Sequence, residues 1–161
     1  MLALPAACQT GPAEPAIWTT ADLARAIETN LAGVGRAVAG PWAPAGMDCT
    51  AAAVDMSLGA DRPAFVPDVA ALATLVPGAA LTYVGAGPGE QRYRLGPPAG
   101  DDVILRELDD DAIVWRRSNG DEMRLSPDAL SFSSGQLTLL IDEDDVRIEV
   151  GGALMVALER C

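Results

Sequence analysis

Apolar residues recur at helical spacing early in the chain and alternate with polar ones later. Leu23, Ile27, Leu31, Val34 and Val38 share one face at intervals of three and four, with Arg25, Glu28, Thr29 and Arg36 opposite. Thr19-Thr20-Ala21-Asp22 has the spacing of a capping box, and Trp18 stands where a hydrophobic staple would. These signals predict a helix within 18–40, loosened at Gly33 and Gly35, where each glycine costs about 1 kcal/mol relative to alanine, and stopped by Gly40-Pro41. Trp42 through Gly46 reads as a Pro/Ala/Gly connector. Val54, Met56 and Leu58 then alternate, predicting a strand that opens just after Cys49 and ends at Gly59-Ala60-Asp61. Pro67-Asp68 predicts a short helix over 67–76, with Val69, Leu72, Leu75 and Val76 on its apolar side and Pro77-Gly78 closing it.

The rest is strand after strand. Alternation marks Ala80–Gly85, Gln91–Leu95, Val103–Leu108, Ala112–Arg117, Glu122–Leu125, Ala129–Ser133, Leu137–Ile141, Val146–Val150 and Leu154–Leu158. Turn signals separate them, and Asn119-Gly120 predicts a type I′ hairpin turn. No crossover helix intervenes, so the sheet is expected to be antiparallel. The fold class is α+β, mainly β: an N-terminal helix plus an antiparallel β-sandwich or small barrel built from consecutive hairpins. Val103, Leu105, Ile113, Trp115, Leu137, Leu139, Ile148 and Val150 are the expected core of 80–161. Residues 1–17 read as a signal remnant and flexible tether. Residues 18–161 read as a single globular domain, helical over 18–40 and 67–76 and strand-rich over 80–161.

Composition narrows the chemistry. All 11 basic residues are arginines, and the chain has neither lysine nor histidine. That excludes a His-based triad, a His metal site, a Schiff-base lysine and a P-loop lysine. The 23 acids leave a net charge of −12, which argues against binding nucleic acid. Residues 1–80 carry seven acids and three arginines, a net of −4, and residues 81–161 carry −8. No cofactor and no metal is expected.

The first residues change the picture of compartment. Leu4-Pro5-Ala6-Ala7-Cys8 resembles the end of a bacterial lipoprotein signal, where small residues lead into a cysteine that is lipidated. The resemblance implies lipidation at Cys8, and the Gly/Pro/Ala/Glu stretch over 9–16 suits a tether. With Cys8 so assigned, Cys49 and Cys161 remain as a pair, expected to form a disulfide across more than 100 residues. The implied location is periplasmic, membrane-anchored by lipid, with the outer membrane favoured and the cytoplasm as the alternative.

Other constellations are weighed against simpler roles. Gly85-Ala86-Gly87-Pro88-Gly89 follows a strand, but Pro88 and the strand-like Gln91–Leu95 deny it the helix a phosphate loop requires, leaving a glycine-rich hairpin. Asp109-Asp110-Asp111 and Asp142-Glu143-Asp144-Asp145 sit at expected hairpin tips and lack calcium-loop spacing. Asp109, Asp110, Asp111, Asp142, Asp144, Asp145 and Trp115 are the candidate partner-binding residues, the acids for a basic protein. Ser134-Gly135 resembles part of the motif of membrane-bound inhibitors of C-type lysozyme, although Gln136-Leu137-Thr138 follows where those inhibitors place a tyrosine. The stretch from Tyr93-Arg94-Leu95-Gly96 to Met123–Leu125 resembles periplasmic β modules of secretion or assembly machines.

The expected function is therefore that of a non-catalytic envelope lipoprotein acting as a binding or structural module. The alternatives are a lysozyme-inhibitor-like binder of a basic protein and a periplasmic adaptor. A carboxylate-based enzyme ranks below both. The expected associations are a membrane, through the lipid, and a basic protein.

Overall fold

The computed structural model describes residues 16–56, 74–97, 102–107 and 111–161. Helix α1 runs from Thr20 to Val38. Its capping box is complete: Asp22 N donates to Thr19 Oγ1 at 3.2 Å, and Thr19 N donates to Asp22 Oδ2 at 2.8 Å. Trp18 packs against the core, and its backbone N–H donates to Tyr93 Oη at 3.0 Å. The expected helix thus forms, and it continues unbroken through Gly33 and Gly35. Its buried face is Leu23, Ile27, Asn30, Gly33, Val34 and Val38.

The physical reason for Gly33 is its neighbour. A β-carbon there would collide with the carbonyl oxygen of Pro127, in the turn between two strands, whereas one at Gly35 would meet open space. The loosening predicted for this pair of glycines is replaced at Gly33 by a close approach of helix and turn.

Eleven strands are found among the described residues: β1 (Gly40–Pro44), β2 (Val54–Met56), β3 (Leu81–Gly87), β4 (Glu90–Leu95), β5 (Asp102–Glu107), β6 (Ala112–Arg116), β7 (Glu122–Leu125), β8 (Leu130–Ser134), β9 (Leu137–Ile141), β10 (Asp145–Val150) and β11 (Ala153–Arg160). They form one sheet in the order β2-β1-β11-β10-β9-β8-β7-β6-β5-β4-β3, and every pairing is antiparallel. The fold is α+β, mainly β, built from consecutive hairpins as the alternation predicts. The nine expected strands of 80–161 lie within two residues of β3–β11.

Local departures have local causes. Trp42 through Gly46 reads as a connector after a helix stop at Gly40-Pro41, but Gly40–Pro44 is strand β1, held between β2 and β11. Pro41 contributes its carbonyl, which accepts from Cys161 N at 3.0 Å. The strand expected just after Cys49 starts later, because Asp48 caps a single helical turn, α2 (Cys49–Ala52), by accepting from Thr50 N at 2.8 Å. The remainder of that expected strand, Ser57 onward, lies outside the described residues. Most of the helix expected over 67–76 does too; its end runs into a 3₁₀ turn at Val76–Gly78, with Val76 buried.

The Asn119-Gly120 turn is not type I′. That type needs φ > 0 at both central residues, and here only Gly120 has it, at 95°. Gly120 N instead donates to Arg117 O at 3.0 Å, and Arg117 N to Asp121 O at 2.8 Å, making a three-residue loop with glycine in the left-handed position. The two-residue loop with both positions at positive φ is Gly151-Gly152, between the paired Val150 and Ala153.

One face of the sheet is the core. Trp42, Tyr93, Leu95, Ile104, Ile113, Trp115, Met123, Leu125, Leu130, Leu139, Ile141, Val146 and Ile148 are buried with the apolar face of α1 in a single cluster. A helix about 10–12 Å across covers two or three strands of a flat sheet at about 4.8 Å per strand. Here buried residues come from β1 and from β4 through β10, so the sheet curls around its apolar face. Each fully buried Leu or Ile contributes about 1.5–3 kcal/mol.

Of the expected core, Ile113, Trp115, Leu139 and Ile148 are buried and Leu137 is half-buried against them. Val150 is exposed because β10 ends there, at the hairpin tip. In β5 it is Ile104 that joins the core. The side chains of Val103 and Leu105 lie outside the described residues.

Candidate functional site

Antiparallel alternation sends the β3–β4, β5–β6, β7–β8 and β9–β10 connections to the same end of the sheet. Helix α1 crosses that end. Asn30 Nδ2 donates to Asp111 O at 2.9 Å, just before β6, and to Leu125 O at 3.2 Å, at the end of β7. Gly33 touches the β7–β8 turn. At its C-terminal end the helix meets Arg160, whose guanidinium donates to Ala37 O, to Ala39 O at 3.2 Å and to Glu143 O in the β9–β10 turn at 2.5 Å. The last turn of a helix leaves carbonyls without partners and carries partial negative charge, and an arginine answers both. The same guanidinium lies 4.8 Å from the ring centroid of buried Trp42, whose Nε1 donates to Val38 O at 2.8 Å.

Between α1 and this end of the sheet lies a groove of about 500 Å³. Trp18, Arg25, Asn30, Arg36, Asp111 and Pro127 define it. Asn30 is only 5% exposed. Its two recorded hydrogen bonds both use Nδ2, and its Oδ1 accepts none among the described residues. Arg25 pairs with Asp22 at 3.5 Å. The Asp22 carboxyl is held below its ordinary value, first by the Thr19 backbone N–H, then by the Thr19 hydroxyl and, to a smaller degree, by Arg25. Arg36 has no ion pair among the described residues.

The residues singled out from sequence fare differently. Trp115 is 3% exposed and belongs to the core, so it presents no surface to a partner; it shares the inward side of β6 with Ile113. Asp111 adopts a left-handed backbone, φ 54°, and offers its carbonyl to Asn30. Asp109 and Asp110 lie outside the described residues, as does Cys8. The Asp142 carboxylate accepts from Asp144 N at 2.9 Å and Asp145 N at 2.8 Å, closing the β9–β10 turn. Asp145 pairs with Arg147 at 2.9 Å. Asp144 is exposed. Asp142 and Asp145 thus have structural work within the hairpin. Ser134 ends β8 and Gly135 lies in the turn at the opposite end of the sheet from α1. Cys49 and Cys161 form a disulfide, with Sγ atoms 2.05 Å and Cα atoms 5.7 Å apart, next to the β1–β11 pairing.

Sequence reasoning did not select Asn30. The signal was there: a polar residue placed at helical spacing between Ile27 and Val34, on the face that carries the core. Comparison with protein-family models, with curated proteins and with solved structures finds no match to this chain. The reading of function therefore rests on the residues and their geometry.

Proposed function

We propose that this chain is a non-catalytic binding module of the bacterial cell envelope, anchored to a membrane by a lipid on Cys8 and working outside the cytoplasm. The observation that carries the reading is the Cys49–Cys161 disulfide. Such bonds persist in oxidising compartments and are rare in the cytosol. It accounts for two of the three cysteines and leaves Cys8, the residue of the lipobox-like Leu4–Cys8 segment, as the third. The absence of histidine and lysine from the sequence supports binding over catalysis. The groove beside α1 supplies a concave surface with polar groups in its wall, which is what a small-molecule site needs.

Cell fractionation tests the proposal. Protein with Cys8 should sediment with membranes and resist extraction by high salt, whereas Cys8→Ser should move to the soluble fraction of the periplasm. The same distribution for both forms would contradict it.

A further inference from the structure

We infer that the groove between α1, Asp111 and the β7–β8 turn binds a small carboxylate that also carries an N–H or O–H donor, with Arg36 taking the acid and Asn30 Oδ1 taking the donor. This gives the proposed binding module a ligand class and rests on that reading, but not on the lipid at Cys8.

Asn30 carries the argument. Its side chain is buried, and Nδ2 donates to the backbone carbonyls of Asp111 and Leu125. The oxygen is the one polar atom of the side chain left over for the groove that Asn30 helps to line. A buried acceptor without a donor is disfavoured, because it has given up its hydrogen bond to water. A ligand hydroxyl or amide reaching it would recover that loss.

Arg36 is the second half. It lines the same groove, six residues farther along the helix, a rise of about 9 Å. The protein carries 23 acids to 11 arginines. Even so, no acid among the described residues pairs with this guanidinium, while Arg25 on the same wall is matched by Asp22. An exposed guanidinium with its fork open can take a carboxylate through two parallel hydrogen bonds. The volume of about 500 Å³ lies within the range of small-molecule sites. A rise of that order between the two backbone positions leaves room for a ligand the size of an acylated dipeptide or a sugar acid.

The experiment uses the full chain labelled with ¹⁵N, read by NMR at the Asn30 side-chain amide, the Thr29 amide and the Arg36 Nε–H. Two acids are titrated, acetyl-alanyl-alanine with amide donors and gluconate with hydroxyl donors. Each is paired with a neutral counterpart, acetyl-alanyl-alanine amide and sorbitol. The inference expects saturable shifts with at least one acid, at least tenfold weaker binding of its neutral counterpart, and a comparable loss in Arg36→Gln. Arg94→Gln, on the exposed side of β4, should bind as the unaltered chain does. Which acid binds identifies the donor. Absence of a saturable shift with both acids overturns the inference, and so does equal binding of acid and neutral forms or equal behaviour of the two variants. Membrane fractionation of Cys8→Ser is independent of these results, so the two readings can fail separately.

Discussion

The Arg160 guanidinium lies over the Trp42 ring at 4.8 Å while donating to the carbonyls of Ala37 and Ala39. One side chain from the last strand thereby closes the C-terminal end of α1, and Glu143 O ties it to the β9–β10 turn. Arg160→Met keeps much of the apolar stem and loses the donors. We expect it to cost about 1–3 kcal/mol in urea unfolding, the range for losing charge-assisted hydrogen bonds. Arg160→Lys should recover only part of this, because an ammonium cannot reproduce the planar fork.

Gly33 and Gly35 should respond with opposite signs to alanine. Helix propensity alone favours both substitutions by about 1 kcal/mol. At Gly35 the space is open and that gain should appear as a higher unfolding midpoint. At Gly33 the new methyl meets the Pro127 carbonyl, and overpacking of this kind costs about 1–3 kcal/mol. Gains of equal size at both positions would show that α1 does not approach the β7–β8 turn.

Reducing the Cys49–Cys161 bond should destabilise the fold by up to about 4–5 kcal/mol, since a crosslink over a long loop chiefly restricts the unfolded chain. Hydrogen exchange should quicken most at β1 and β11, the strands beside the crosslink. Thermal unfolding with and without reductant measures the first effect, and residue-resolved exchange the second.

The two depressed carboxyls set an acid limit. Asp22 is lowered by the Thr19 backbone N–H and hydroxyl, and Asp48 by the Thr50 backbone N–H and hydroxyl. A folded-state value below the ordinary 3.8 means that each carboxylate supports its cap fully above that pH, and the support is lost as pH falls through the folded value. The Thr19 and Thr50 amide resonances should hold steady near neutrality and move together with these carboxyls under acid. Thr19→Ala should flatten the response at α1 and cost about 1 kcal/mol.

Much of this fold was legible because its periodicities are clean. Leu23, Ile27, Val34 and Val38 mark α1 at a helical period, and alternation located all nine strands from β3 to β11. Strand β1 was hidden because Pro41 and Pro44 look like punctuation, and its place depends on a partner more than 100 residues away. Helix propensity at Gly33 said nothing of Pro127, which is a tertiary neighbour. Alternation placed Trp115 and Ile113 on one side of their strand and so in the expected core, and burial of both bears out that role for Trp115 over its candidate role as a partner anchor. The acidic tips were visible as charge, but the hydrogen bonds that close the Asp142–Asp145 turn were not. The groove was illegible as a site because Asn30, Arg36 and Asp111 meet only once the helix crosses the sheet end.

Mass spectrometry of the Cys8-containing peptide, from protein extracted out of the membranes of its native cells, decides whether the proposed lipid anchor exists. We expect an acylated glyceryl thioether on Cys8, with Cys49 and Cys161 recovered as one crosslinked peptide pair under non-reducing conditions. An unmodified Cys8 still joined to Ala7, with Cys49 and Cys161 as free thiols, would contradict it.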